Sequence, residues 1–288
     1  MNEPPRKDYF KNKICFVTGA NSGIGFALSE ELLKRGATVY LAGRDPKKVS
    51  DAAEQLSVFE ERVHPVLVDV TRQEQVQKVI EQTAAEEGWL DLLFNNAGIL
   101  LMALFETATF EEWKTIVDTN LWSVIYGTHA AVPIMLRQGS GHIVNTSSVG
   151  GIIPYPMQAL YNTTKFAVTG LTESLRFEYA EKGLHFSTVC PGPVATPIYA
   201  KRLGKPDPLM NVPGDAIPPG TAAPFILDRV AERKGMIIVP EGFHDRLWRS
   251  YVSGDPVAEE MLGAHAHNRR NALERGDPAA AAAAPMHR

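Results

Sequence analysis

Thr18-Gly19-Ala20-Asn21-Ser22-Gly23-Ile24-Gly25 lies between an apolar run, Ile14–Thr18, and a segment of helical periodicity over residues 24–35. A strand that turns through glycines into a helix leaves the first N–H groups of the helix unpaired. The glycines also let the backbone approach a pyrophosphate held there. The spacing is Gly-x3-Gly-x-Gly rather than Gly-x-Gly-x2-Gly, and a glycine-rich turn has a purely conformational explanation as well.

Outward from this turn, short apolar runs alternate with longer periodic segments, the mark of βαβ units. Residues 38–42, 63–68, 90–94, 142–146, 185–189 and 236–239 read as further strands. Asp45-Pro46 supplies an N-cap and a first helical residue. Helices are expected over 72–87, within 110–137 and over 158–181. Apolar strands joined by helical crossovers imply a parallel sheet covered on both faces, and right-handed crossovers make it doubly wound. The expected fold is α/β: a single doubly wound parallel sheet of the Rossmann type, about seven strands with helices on both faces. Residues 1–11 read as an N-terminal extension, 12–245 as the dinucleotide-binding and catalytic domain, and 246–274 as a C-terminal helical extension. The tail 275–288, with its alanine run, has nothing to bury and is expected to be disordered. Prolines and glycines crowd residues 191–224, so a loop with at most a short helix is expected there, covering a site.

The 288 residues are 44% hydrophobic and 22% charged, with a formal net charge of −4. That balance excludes a disordered chain, and no basic surface announces nucleic acid or an anionic membrane. Cys15 and Cys190 cannot make a disulfide scaffold and read as reduced core thiols. The N-terminal residues have no apolar h-region, so the sequons at Asn145 and Asn162 are set aside and a cytoplasmic protein is expected. Residues 119–136 carry no charge and approach the length of a membrane span. Their Asn120, Ser123, Gly127, Thr128, His129 and Pro133 instead suit a helix buried on more than one face, so no membrane span is expected. His265 and His267 are two apart and point away from each other on a helix, and no H-E-x-x-H, Cys-x2-Cys pair or Walker loop occurs. No metal site is expected.

The end of the second strand bears on the cofactor. An acidic residue there accepts from a ribose 2′-hydroxyl, whereas an arginine binds a 2′-phosphate. The strand ends Leu41-Ala42-Gly43-Arg44-Asp45. Arg44 favours NADP(H); Asp45 leaves NAD(H) open, and a solvated cation beside a helix cap accounts for both residues without any ligand. Tyr161 and Lys165, four apart, share one helix face. A phenol of pKa about 10 is a poor base at neutral pH, and a neighbouring ammonium is expected to lower it. Ser147-Ser148 closes the fifth strand, at the end where doubly wound sheets place ligands.

In order along the chain stand Thr18-Gly-x3-Gly-Ile-Gly25, Asp69-Val70, Asn95-Asn96-Ala97-Gly98, Asn120, Ser148, Tyr161-x3-Lys165 and Pro191-Gly192 with Thr196. This series resembles the short-chain dehydrogenases/reductases, which have a single Rossmann-type domain. The resemblance covers residues 13–196, and the architecture continues to about Val239. Ser148 rather than Ser147 matches, since the family's serine lies thirteen residues before its tyrosine. Asn-Thr-Thr after Tyr161 departs mildly from the small residues more usual there. The resemblance implies that Tyr161 exchanges a proton with the substrate oxygen, that Lys165 lowers the tyrosine pKa and holds the nicotinamide ribose, and that Ser148 orients the substrate oxygen. It also implies that Asn120 supports a water between Lys165 and solvent. With the glycine turn and Arg44, it places cofactor contacts at Gly19, Asn21, Ser22, Gly23, Ile24, Gly25, Arg44, Asp69, Val70, Asn96, Ala97, Gly98, Tyr161, Lys165, Pro191, Gly192, Val194 and Thr196. Blander readings exist: Asp69 as a cap before Thr71, Asn95 to Gly98 as a turn, Asn120 as a satisfied buried amide.

Four functions compete. An NADPH-dependent carbonyl reductase, or an alcohol dehydrogenase running the same reaction backwards, uses every feature named. An NAD-linked dehydrogenase differs only in the weight given to Asp45. A sugar-nucleotide epimerase or dehydratase of the extended fold needs a larger C-terminal domain, and a non-catalytic dinucleotide sensor usually lacks the Tyr–Lys pair. The first reading is taken. Pro193, Val194, Ile198, Tyr199, Leu203, Leu209 and Met210, with Ile152, Tyr155, Met157 and Leu101, suggest a medium-to-large apolar ketone or secondary alcohol as the small-molecule partner. Apolar positions also run round two helices: Leu121, Trp122, Ile125, Tyr126, Val132 and Met135 on one, Phe166, Val168, Leu171, Leu175 and Phe177 on the other. A stripe left facing water, with Val168 in it, is expected to be covered by a second copy in a homodimer or homotetramer.

Overall fold

Side chains of the first strand alternate across the sheet: Cys15 and Val17 join one buried cluster, Phe16 the other. Both faces are therefore covered, as apolar parallel strands require. The computed structural model describes residues 8–206, 212–277 and 280–281. Its strands are β1 (Ile14–Thr18), β2 (Thr38–Gly43), β3 (Val63–Leu67), β4 (Leu92–Asn95), β5 (Gly141–Thr146), β6 (Leu184–Pro191), β7 (Lys201–Arg202), β8 (Lys205–Pro206) and β9 (Met236–Val239). β7 and β8 pair as a small antiparallel hairpin, and the other seven form one sheet in the order β3-β2-β1-β4-β5-β6-β9. Every pairing in that sheet is parallel, with Val17 opposite Leu41 on one side and Phe94 on the other. The order reverses between β1 and β4, which opens a crevice at their carboxyl ends.

The helices are α1 (Gly23–Lys34), α2 (Pro46–Gln55), α3 (Gln73–Glu87), α4 (Phe110–Val117), α5 (Ser123–Gln138), α6 (Ala159–Glu178), α7 (Pro219–Ala231), α8 (Phe243–Val252) and α9 (Pro256–Glu274). Leu28, Leu32 and Leu33 of α1 pack with Ile226, Leu227 and Val230 of α7 on one face. Val76 and Ile80 of α3 pack with Ala131 and Met135 of α5 on the other. Local chemistry starts several of these helices. Asp45 caps α2 through the Lys48 N–H, with Pro46 at the first position. Thr109 and Glu112 form a reciprocal capping box on α4.

Four expectations are corrected. The segment 191–224 holds more than a short helix, because the 13-residue α7 begins inside it and runs on to Ala231. Pro218 and Pro219 stand at the N-cap and first turn, where a missing N–H costs nothing, and Ala222, Ala223 and Ile226 then find a core to bury in. The boundary placed at 245 falls inside α8, and Leu247 and Ala258 share a core with Ile152, Ile153 and Cys190. Of the tail, residues 278–279 and 282–288 lie outside the described residues, yet Ala281 is buried against Met102 and Ala272. Val168 is 0% exposed, so it belongs to no surface stripe; the exposed apolar positions near it are Trp122, Leu136, Phe166 and Phe177. Both cysteines are buried and unpaired, and burial raises both thiols, Cys190 to about 12. Among the described residues no helix is long and apolar enough to cross a membrane.

Candidate active site

The crevice at the switch point is a cavity of about 330 Å³. Its floor is the turn from β1 into α1. Gly19 has φ 65°, and a Cβ on it would lie 2.9 Å from the Ala97 Cα, so only glycine lets the two turns meet. The Thr18 hydroxyl accepts from the N–H groups of Asn96 and Ala97 at 2.9 and 3.1 Å, which locks the end of β1 to the end of β4. Ser22, the N-cap of α1, makes no side-chain cap bond, and no acidic residue stands in the first turn. That helix end is open to an anion.

Gly19, Asn21, Ser22, Gly23, Ile24, Arg44, Asp69, Val70, Asn96, Ala97, Gly98, Ser148, Tyr161, Lys165, Pro191, Gly192, Val194 and Thr196 all line this cavity. Two expected site residues do not. Gly25 is buried behind the turn, where a Cβ would come within 2.4 Å of the Gly19 carbonyl oxygen, so its role is close packing. Asn120 is also buried. It lies in a single wider turn, Asp118–Trp122, where the Ser123 N–H bonds back to the Asp118 carbonyl. The Asn120 amide accepts from the Ile99 N–H at 2.8 Å and donates to the Ile99 carbonyl at 2.9 Å and to Thr164. It clamps the backbone beside Gly98 instead of lining the cleft.

The two serines after β5 divide their work. Ser147 donates to the Lys165 carbonyl at 2.8 Å and is structural. Ser148 donates to the Pro191 carbonyl at 3.4 Å, and its oxygen accepts from the Gly150 N–H. Lys165 is 3% exposed and donates to the Thr146 carbonyl at 2.9 Å. Its Nζ lies 5.7 Å from the centre of the Tyr161 ring. Burial raises the Tyr161 phenol to about 12, against the opposing pull of the nearby Ser148 hydroxyl, and lowers Lys165 to about 8. The expected lowering of the phenol by the ammonium is not found: burial of the phenolate dominates, and Lys165 is not among the groups that shift Tyr161.

At the other end of the cleft, cations gather. Lys48 and Lys201 line it beside Arg44. Lys201 is held below its usual range by burial and by repulsion from Lys48 and Arg44. Among the described residues Arg44 has no ion-pair partner, and Asp45 is engaged as the α2 cap. Lys48 and Lys201 went unread in the sequence, because only the fold brings the β7–β8 hairpin over the end of β2. Asp69 accepts from the N–H and hydroxyl of Thr71.

A second cavity, about 290 Å³, adjoins the first and shares Ser148 and Tyr161 with it. Of the residues expected around a substrate, Tyr155, Pro193, Ile198 and Tyr199 line it. Leu101 and Ile152 are packed in cores, and Leu100, Met102 and Val149 take their place. Val194 faces the first cavity, Leu203 packs with the Leu100 cluster and Met157 with Met102. Leu209 and Met210 lie outside the described residues. His267 bonds Asn271 on the surface, while His265 lines the second cavity. No cluster of metal-ligating side chains occurs among the described residues.

Comparison with known proteins gives a consistent picture. The short chain dehydrogenase family model matches residues 13–206. An uncharacterized oxidoreductase of Staphylococcus aureus is 38% identical over 189 residues, 66% of this chain and 81% of that protein. One of Staphylococcus saprophyticus is 35% identical over 65% of this chain and 81% of its own. Among solved structures, a short chain dehydrogenase/reductase from Burkholderia phymatum in complex with NAD has a TM-score of 0.73 at 26% identity, covering 93% of this chain and 96% of that one. ElxO with NADP bound has a TM-score of 0.62 at 33% identity, covering 64% and 75%. With the parallel sheet, its switch-point cleft and the ordered motifs, these matches make the chain an oxidoreductase that belongs to the short-chain dehydrogenase family.

Proposed function

We propose that the protein is an NADP(H)-dependent oxidoreductase interconverting a ketone or aldehyde with an alcohol on a medium-to-large, largely apolar substrate. The observation that carries this reading is that Ser148 and Tyr161 line both cavities while Lys165 lines only the first. The phenol stands where a substrate in one cavity meets a cofactor in the other.

The residues fit a nicotinamide dinucleotide: an open helix N-terminus for the pyrophosphate, a cation cluster at the end of β2, and Lys165 further along. Bound there, the nicotinamide supplies hydride exchange. The chain's own groups do the rest. Ser148 and Tyr161 donate hydrogen bonds to the substrate oxygen, which polarises the carbonyl and fixes its distance from the cofactor face. Tyr161 then passes its proton to that oxygen. A phenol held near 12 is fully protonated at neutral pH, which suits the donor role. The Lys165 ammonium stabilises the phenolate left behind, and Asn120 positions Gly98 and Ile99 beside Lys165. Asn21, Ser22, Gly23 and Ile24 are assigned to the pyrophosphate, Asp69 and Val70 to the adenine, and Thr196 to closing the cleft over Gly23. A panel of ketones, aldehydes and alcohols with NADPH, NADH and their oxidised forms, read at the nicotinamide absorbance, tests the reading. NADPH consumption with at least one ketone is expected; none with any carbonyl overturns it.

The cofactor choice rests on Arg44, Lys48 and Lys201 converging while Asp45 caps α2. Arg44→Ala is expected to raise the KM for NADPH about tenfold, the loss of a charge-assisted contact of roughly 1.5 kcal/mol or more. The KM for NADH should barely move. Equal damage to both, or a parent that prefers NADH, assigns the site to NAD, the ligand of the Burkholderia phymatum protein.

We also propose a homodimer or homotetramer. Trp122, 44% exposed, stacks on Tyr126, and Phe166 and Phe177 are 40% and 70% exposed on the adjacent α6. A second copy would cover them isologously. Light scattering should give a mass above the 31.6 kDa of one chain, and Phe166→Asp should lower it. A single-chain mass for the parent removes the proposal.

A further inference from the structure

The second cavity contains a charge that the reaction above does not use. Arg269 of α9 lines it and is 7% exposed. Its Nη1 donates to the Pro156 carbonyl at 2.9 Å. Its Nε is buried without a hydrogen-bond partner, and the Nε–Nη2 edge makes no bond to the described residues. No carboxylate among those residues pairs with it. Asp215, on the same cavity wall, is exposed and forms no ion pair with it. The titratable groups that act on it are the phenols of Tyr155 and Tyr199, which burial holds well above their usual range, so at neutral pH they are uncharged and supply no countercharge. Burial brings the guanidinium down to about 10, still a cation at neutral pH.

A buried charge is ordinarily paired, because its desolvation is not offset by one neutral hydrogen bond. If Arg269 were only a strut to Pro156, a neutral donor would serve at lower cost. A guanidinium is a planar fork of N–H donors that matches a carboxylate, and here it lines the cavity with only Nη1 bonded among the described residues. α9 also lies beyond the stretch matched by the family model, residues 13–206.

We propose that the substrate carries a carboxylate, held by the guanidinium of Arg269. Its apolar body lies along Leu100, Val149 and Tyr199, and its carbonyl reaches Ser148 and Tyr161. The class is an oxo acid reduced to a hydroxy acid: the carbonyl carbon takes the hydride, its oxygen takes the Tyr161 proton, and the carboxylate is unchanged. This rests on the carbonyl-reduction reading above and narrows it.

The test pairs an acid with its neutral twin. With the full chain and NADPH, kcat/KM is measured for benzoylpropionate and for its methyl ester. In parallel, calorimetry on the chain with NADP+ measures binding of phenylbutyrate and phenylbutyramide, which does not depend on turnover. The parent is expected to prefer the acid over the ester, and phenylbutyrate over the amide, by tenfold or more. Arg269→Met should cut both ratios at least tenfold. Arg269→Lys, which keeps the charge and loses the fork, should cut them partially; it also serves if the Met variant does not fold. No acid preference in the parent, or variants in which acid and neutral twin weaken together, overturns the assignment. If the ester is reduced without acid preference, the carboxylate inference fails and the oxidoreductase reading stands. If neither compound is reduced, calorimetry decides: phenylbutyrate binding that Arg269→Met weakens supports the carboxylate site, and no binding overturns it.

Discussion

Tyr161→Phe is expected to lower the rate of carbonyl reduction about a hundredfold or more, the usual worth of a positioned proton donor, while leaving NADPH affinity nearly intact. Only one oxygen is removed. The ring keeps its packing against Leu100, Leu101, Ile116 and Leu160, so the variant should fold. Its pH behaviour supplies an independent check. In the folded chain the phenol rises from the usual 10.0 to about 12. Between those values the folded state holds a proton that the unfolded state has lost, so stability falls as pH rises through that window. The variant should lose this dependence. Single-turnover absorbance and a fluorescence titration of NADPH separate the two effects. A Tyr161→Phe protein retaining more than about a tenth of the parental rate removes Tyr161 from the proton step.

Lys165→Met should be the opposite kind of variant, damaged in function and improved in stability. Turnover is expected to fall about a hundredfold with the loss of the charge that stabilises phenolate. The KM for NADPH should rise too, because the ammonium is assigned to the cofactor as well. Lys165 falls from the usual 10.5 to about 8 on burial. The unfolded chain therefore binds more protons between those values, and stability rises with pH across that window. Below about pH 8 the cost of burying the cation is present in full, of the order of 3 kcal/mol. Methionine fills a similar volume without that cost, offset in part by the lost bond to the Thr146 carbonyl. Calorimetric unfolding at neutral pH should show a higher midpoint for Lys165→Met. A midpoint several degrees lower, with about 4–8 °C expected per kcal/mol in a small domain and less in a larger one, would show that Lys165 supports the fold.

The strands were legible because both faces of the sheet are buried, so each strand reads as a short unbroken apolar run. All seven of the parallel sheet fall within two residues of where the runs place them. Ser148, Tyr161 and Lys165 were legible for a related reason. They sit on one strand end and one helix face, and fixed spacings along regular elements translate directly into neighbours. Arg44 was readable as the residue that follows β2. Its partners were not: Lys48 is a turn further along α2, and Lys201 arrives from a hairpin more than a hundred residues away in sequence.

Val168 shows the limit of periodicity. Round α6 the sequence offers apolar residues at several angles, and nothing local distinguishes the one that faces β6 from the one that faces water; packing left Phe166 out and took Val168 in. The pKa of Tyr161 was misjudged from spacing alone, because a helix-face neighbour is visible in sequence and the depth of burial around it is not. Arg269 was unreadable for the same reason: among 29 lysines and arginines its type and neighbours look ordinary, and its lack of a carboxylate partner among the described residues emerges only once α9 is laid across the Pro156 loop. Short-range order, set by backbone periodicity and by turn chemistry at Gly19, Asp45 and Thr109, was determined by the sequence itself. Desolvation, and the convergence of charges from distant segments, belong to the tertiary structure, because they depend on which surfaces exclude water from one another after the chain has closed.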